Sequence, residues 1–259
     1  MHRFFVEPGR LQGGRVVFSD AQAHQIRRVL RMEAGREVVV LDNTGLEYRA
    51  VLSKVTADGV EAESTARGPA PGEPVVRLTL FQSLLRQEKF EWVLQKGTEA
   101  GVARFVPILT RRGLIQSASA VTPQKVQRWR RIVTEAAEQS HRGVIPEIVP
   151  VMGLEEAAAT TGDYGIVLVA AMTASLSLDE ALKGCKGLTT AGLFIGPEGG
   201  FEDEEVAMLT SAGARAAHLG PRVLRTETAA VAGSVLILHG TGQMKTPVGS
   251  GCVGGTSDG

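Results

Sequence analysis

The chain has 259 residues, more than one typical domain needs and suited to two. Hydrophobic residues make up 43%, enough for a sizeable core, and no apolar run approaches the ~18 residues of a membrane span. The net charge of zero conceals a gradient: residues 1–150 carry 22 Lys+Arg against 16 Asp+Glu, and residues 151–259 carry 6 against 12, so a polyanion contact is expected on the basic part.

Residues 1–70 read as a small β-rich domain. Ala21 to Met32 has helical character, Val38 to Leu41 is a strand, Asp42 to Gly45 a turn, and Tyr48 to Val55 a second strand before another turn at Ala57-Asp58-Gly59. Gly68 to Pro74 is dense in Pro and Gly and reads as a linker. From residue 74 to 242 the pattern alternates. Strands are expected at Val75–Phe81, Phe105–Leu109, Tyr164–Ala171, Leu193–Ile195 and Ala216–Leu219. Helices are expected at Gln87–Ala100, ended by Gly101, then from Thr122 to Ser140, Glu202 to Ser211 and Thr226 to His239. Thr122 and Thr226 are expected N-caps. Such alternation implies an α/β domain with a mostly parallel sheet and helices on both faces. Residues 243–259 are glycine-rich without periodicity and read as a disordered tail.

Two segments follow strand-like runs and precede helix-like ones: Ile195-Gly196-Pro197-Glu198-Gly199-Gly200 and Leu219 to Ala229. Loops beyond the carboxyl ends of neighbouring strands make one pocket in an open α/β sheet. Its glycines let backbone approach a ligand closely. Glu202 to Glu205 crowd the start of the next helix, where a bound phosphate would be repelled. Neither loop carries a P-loop or a Gly-x-Gly-x-x-Gly. A ligand with an adenosine and a zwitterionic, cationic tail fits better, and S-adenosylmethionine has those properties. Arg225 stands out as a charge at an otherwise apolar helix start. On a helix, Glu135, Glu138, Gln139 and Arg142 would share one face, either solvated or facing a substrate, and Lys96 and Glu99 would pair similarly. The histidines form no metal or Ser-His-Asp pattern, Cys185 and Cys252 have no zinc-type spacing, and no metal is expected. The start of the chain lacks the long apolar stretch of a secretory signal, and a cytoplasmic location is expected.

Six stretches together carry a resemblance: Met1 to Phe5, His24 to Arg31, Gln95 to Pro107, Glu135 to Arg142, Gly196 to Gly200 and Leu219 to Ala229. In this order they resemble the bacterial ribosomal RNA small-subunit methyltransferase E enzymes of the SPOUT superfamily. The resemblance implies a PUA-like β-barrel at 1–70 and a methyltransferase domain with a deep trefoil knot at 74–242. It implies a homodimer that methylates N3 of one uridine in 16S ribosomal RNA, free or in the assembled small subunit, with no membrane partner. The implied cofactor residues are Ala170, Ala171, Gly196, Pro197, Glu198, Gly199, Leu219, Gly220, Val223, Leu224, Arg225, Thr226 and Thr228. Arg142 and Arg225 are expected to stabilise the uridine anion, and Glu138, ahead of Glu227, to take the proton. Arg3, Arg27, Arg28, Arg31, Lys96, Glu99, Gln139 and Arg142 are expected to face the RNA. Gly97 stands where the family usually has alanine, which costs a helix about 0.5–1 kcal/mol.

Overall fold

The computed structural model describes residues 1–185 and 187–244; the remainder of the glycine-rich tail, with Cys252, lies outside the described residues.

The N-terminal unit is built from β1 (His2–Phe5), β2 (Leu11–Gln12), β3 (Arg15–Val17), α1 (Asp20–His24), β4 (Glu37–Leu41), β5 (Leu46–Thr56) and β6 (Gly59–Pro69). Its sheet runs β1-β4-β5-β6-β3-β2, with β1 parallel to β4 and the other pairs antiparallel. Strand alternation sorts the side chains. Phe4, Val38 and Val40 point into one core with Val16, Ile26 and Leu52. Phe5, Val39 and Leu41 point the other way. The helix expected over Ala21–Met32 is shorter. Ser19 caps α1 in a capping box with Gln22, but the turn widens to a π-helix over Gln25–Val29, and Arg31 reverses the chain at φ 49°. Periodicity does not encode the widening, which changes hydrogen-bond partners while Ile26 stays in the core.

The C-terminal unit comprises β7 (Arg77–Ser83), α2 (Gln87–Ala100), β8 (Val102–Leu109), α3 (Pro123–Gln139), β9 (Glu147–Ile148), β10 (Met152–Gly153), α4 (Leu154–Ala159), β11 (Ile166–Ala170), α5 (Leu178–Leu182), β12 (Thr190–Ile195), α6 (Asp203–Ser211), β13 (Arg215–Ala217) and α7 (Thr226–Gly240). Its sheet is parallel throughout, in the order β10-β8-β7-β12-β11-β13, with β9 also on β8. α2, α3, α5 and α7 pack on one face, where Phe90 and Trp129 meet at 4.5 Å. α4 and α6 cover the other face, over the stacked rings of Phe81 and Phe194. Thr122 caps α3 as expected, with Pro123 in the first turn, and Gly101 ends α2 at φ 103°. Gln243, just past α7, accepts the backbone N–H of Val75 at 2.8 Å and so ties the chain back to the segment before β7.

Gly97 has a packing reason. A Cβ there would stand 2.8 Å from the Phe105 ring, so glycine lets α2 lie close on β8.

Around the junction of the two units the chain departs from the expected helix face. α3 stops at Gln139, His141 takes φ 63°, and the chain turns so that Arg142 points inward, 2% exposed. Its guanidinium donates to both carboxylate oxygens of Glu73, at 2.7 and 3.1 Å, and to the carbonyls of Thr98 and Val102, both at 3.0 Å. Glu73 also accepts the N–H of Gly143 and Val144. The expectation that Arg142 meets an RNA anion is therefore corrected: its charge is spent holding the linker against the end of α2.

Candidate active site

A cavity of about 340 Å³ opens where the carboxyl ends of β11 and β12 meet the start of α7. That volume suits a small ligand. Ala170 and Ala171 follow β11; Gly196, Pro197, Glu198 and Gly199 follow β12; Leu219, Val223, Leu224 and Thr226 lead into α7. All ten belong to the expected cofactor set, brought together from segments about 55 residues apart. Gly220, Arg225 and Thr228 do not line it. Gly220 borders a separate small cavity with His218, and Thr228 is exposed on α7.

The glycine loop is folded tightly. A Cβ on Gly196 would lie 3.0 Å from the amide nitrogen of Phe201, and Gly200 takes φ 68°. Lys89, from α2, holds the loop at Glu198 with a 2.8 Å bond and lies 3.9 Å from Glu227. The α7 cap falls one residue earlier than expected: Arg225 is the N-cap, exposed and without a side-chain bond to the helix. Thr226 is buried, and its hydroxyl donates to the carbonyl of Gly196 at 2.6 Å. The two expected loops are thus joined to each other.

Sequence reading missed several lining residues, among them Arg112, Met172, Thr173, Phe201 and Val206. Arg112 comes from the turn after β8 and donates to the carbonyl of Gly199 at 3.1 Å. The signal was a doubled arginine just past a strand end, on the rim where ligands gather in such sheets. At the start of α6, Glu202 and Glu205 cap each other, Glu205 accepts the N–H of Arg111 at 2.9 Å, and Arg111 reaches Glu202 at 3.0 Å. The helix's own carboxylates thus occupy the place where a phosphate would bind.

Glu138 lies elsewhere. It lines a cleft of about 400 Å³ between the units with His2, Arg3, Gln25, Glu135 and Gln139 and shares no lining residue with the glycine-loop cavity. Burial pushes its carboxyl up to about 7, the N–H of Phe5 at 3.0 Å opposes the rise, and Glu135 adds to it. Arg3 is ion-paired with Glu47 and mostly buried, so its guanidinium is already engaged. Arg27 donates to the carbonyl of Ala57, while Arg28 and Arg31 are exposed on the π-helical turn and its exit. Lys96 and Glu99 pair with each other at 2.8 Å on α2. Among the described residues no cluster of three metal-ligating side chains occurs, and no helix is long and apolar enough to cross a membrane.

The parallel α/β unit with its glycine-loop cavity, beside a small β-rich unit, is an arrangement shared with known RNA methyltransferases. Residues 71–237 match the family model for an RNA methyltransferase domain, and residues 18–63 match that for an RNA methyltransferase PUA domain. Ribosomal RNA small subunit methyltransferase E of Bacillus subtilis is 30% identical over 238 residues, 88% of this chain and 93% of the relative. The protein of the same name from Mycobacterium tuberculosis is 32% identical over 234 residues, 88% and 87% of the two chains. The crystal structure of the Neisseria gonorrhoeae enzyme of that name, bound to S-adenosyl methionine, superposes with a TM-score of 0.83 at 27% identity, covering 95% of this chain and all of that one. The chain belongs to the ribosomal RNA small subunit methyltransferase E family.

Proposed function

We propose that this enzyme transfers a methyl group from S-adenosylmethionine to N3 of one uridine in 16S ribosomal RNA, acting as a homodimer in the cytoplasm on free RNA or the assembled small subunit. The observation that carries the reading is the cavity between the Gly196–Gly200 and Leu219–Thr226 loops. Its walls include apolar groups such as Ile195, Phe201, Val206 and Leu219, which suit an adenosine. Glu198 and Asp203 border it, and the capped start of α6 disfavours phosphate, so a zwitterionic sulfonium fits better than a nucleotide. The knot implied by the resemblance is part of this reading, with Thr226 and Gly196 fastening its loops.

When bound, S-adenosylmethionine supplies an electrophilic methyl group. The protein must remove the proton on uridine N3, stabilise the resulting charge on O2 and O4, and align N3 with the methyl. Arg225, an exposed and always charged guanidinium at the mouth of the cofactor loops, is suited to the anion. Glu138 keeps a carboxyl that titrates near neutrality, as a base requires, but it borders the inter-unit cleft. Within a single chain that cleft and the cofactor cavity are separate, so Glu138 can serve as base only if a second copy brings them together. Glu227, at the first turn of α7 beside Lys89, is the alternative. Unstacking the uridine costs about a few kcal/mol, to be met by backbone contacts for which Arg28 and Arg31 are available.

The test is calorimetric titration with S-adenosylmethionine, with ATP and NAD as controls, followed by nucleoside analysis of methylated 16S RNA. Selective binding that Gly199→Trp abolishes, and label recovered as 3-methyluridine, is the expected result. Label on a ribose 2′-hydroxyl or a guanine would replace the acceptor, and absence of binding would overturn the cofactor.

A further inference from the structure

Gln82 is the penultimate residue of β7, and its side chain has no exposure to solvent. It does not line the cofactor cavity. Its Nε2 donates to the hydroxyl of Thr226 at 3.2 Å and to the carbonyl of Ser83 at 3.1 Å. The orientation of this amide follows from its partners. The Gly196 carbonyl can only accept, so the Thr226 proton is committed to it and the Thr226 oxygen is left to accept from Gln82. Turned over, the amide would set its own oxygen against the Ser83 carbonyl and the Thr226 oxygen. In the observed orientation Oε1 of Gln82 accepts no hydrogen bond. An orphaned buried acceptor lowers stability. A hydrophobic residue of the same size would remove that orphan together with the two bonds that Nε2 donates, and what the glutamine adds is the bond to Thr226.

The relay reaches the site. Thr226 and Gly196 both line the cavity, and each belongs to a different loop. The Gly196 turn is folded closely on Gly200 and Phe201, where a Cβ would stand 3.0 Å from the Phe201 amide nitrogen. We propose that Gln82 is a positioning residue for the cofactor cavity: through the Thr226 hydroxyl it sets the β12 loop and the first turn of α7 against each other at the end of β7. The inference rests on the reading that this cavity takes S-adenosylmethionine.

The experiment is calorimetric titration of S-adenosylmethionine into the full-length wild-type, Gln82→Met, Thr226→Ser and Thr226→Val proteins and the Gln82→Met/Thr226→Val double variant, each paired with a thermal melt. Methionine removes the two donated bonds together with the orphaned acceptor, so Gln82→Met should melt close to the wild-type temperature while its Kd rises about three- to ten-fold. Thr226→Ser keeps the hydroxyl and should bind more tightly than Thr226→Val, which loses it. Because the two residues act in series, the double variant should bind no more weakly than Thr226→Val alone. Wild-type Kd in Gln82→Met, or additive losses in the double variant, would overturn the relay while leaving the cofactor in place. If Gln82→Met does not fold, the Thr226 pair decides, with equal binding by serine and valine overturning the relay. A wild type that does not bind S-adenosylmethionine overturns the cofactor reading itself, and the inference with it.

Discussion

Arg142 and Glu73 form a two-point ion pair across 69 residues of chain, with the guanidinium 2% exposed and capped on its other side by two backbone carbonyls. The two residues after Arg142 join the same set of bonds, since the carboxylate also takes the N–H groups of Gly143 and Val144. Removing one partner of a buried pair leaves the other charge without compensation. Arg142→Ala should therefore destabilise the protein by about 3–5 kcal/mol, read by urea denaturation. Arg142→Lys should recover little, because an ammonium cannot make the fork. A variant with wild-type stability and lost turnover would return Arg142 to the RNA.

Glu138 makes stability depend on pH. Its folded-state carboxyl titrates at about 7, above its ordinary 4.5, so between those values the folded state holds more protons than the unfolded chain. The sign follows: Glu138 contributes stability that is present below about 4.5 and is lost as pH rises through about 7. Glu138→Gln, neutral at every pH, should melt higher than wild type at pH 8 and nearly match it at pH 5. The same variant tests its chemistry, since near-normal turnover would remove it as the base.

Gly97→Ala pits propensity against packing. Alanine would favour the helix by about 0.5–1 kcal/mol. The added methyl, however, would sit 2.8 Å from the Phe105 ring, and overpacking costs about 1–3 kcal/mol. Net destabilisation is expected in a denaturant titration, and stabilisation would mean that the ring yields freely.

Arg225 separates function from folding in the other direction. It caps α7 with backbone alone and is exposed, so Arg225→Ala should shift stability by no more than about 0.5 kcal/mol. If its charge stabilises the uridine anion, turnover should fall by roughly two to three orders of magnitude, measured as methyl incorporation into RNA.

The two loops that line the cavity were legible because glycine and proline at strand ends constrain backbone locally, and ten of the thirteen residues expected there gather in it. Arg112 was missed because the doubled arginine marks only a strand end, and the turn after β8 reaches Gly199 only once β7 lies between β8 and β12. Gln82 was invisible for the same reason, its partner Thr226 lying 144 residues away.

By itself the sequence determined the alternation of strands and helices, the caps at Thr122 and Gly101, and the two loops, since each depends on neighbours within a few residues. The tertiary structure decided which charges are free to meet a ligand. One reversal at His141 sent Arg142 into the protein toward Glu73, while Arg225, at the edge of an apolar helix, stayed in solvent. A charged side chain is committed by whatever stands within hydrogen-bond reach, and only the folded chain fixes that.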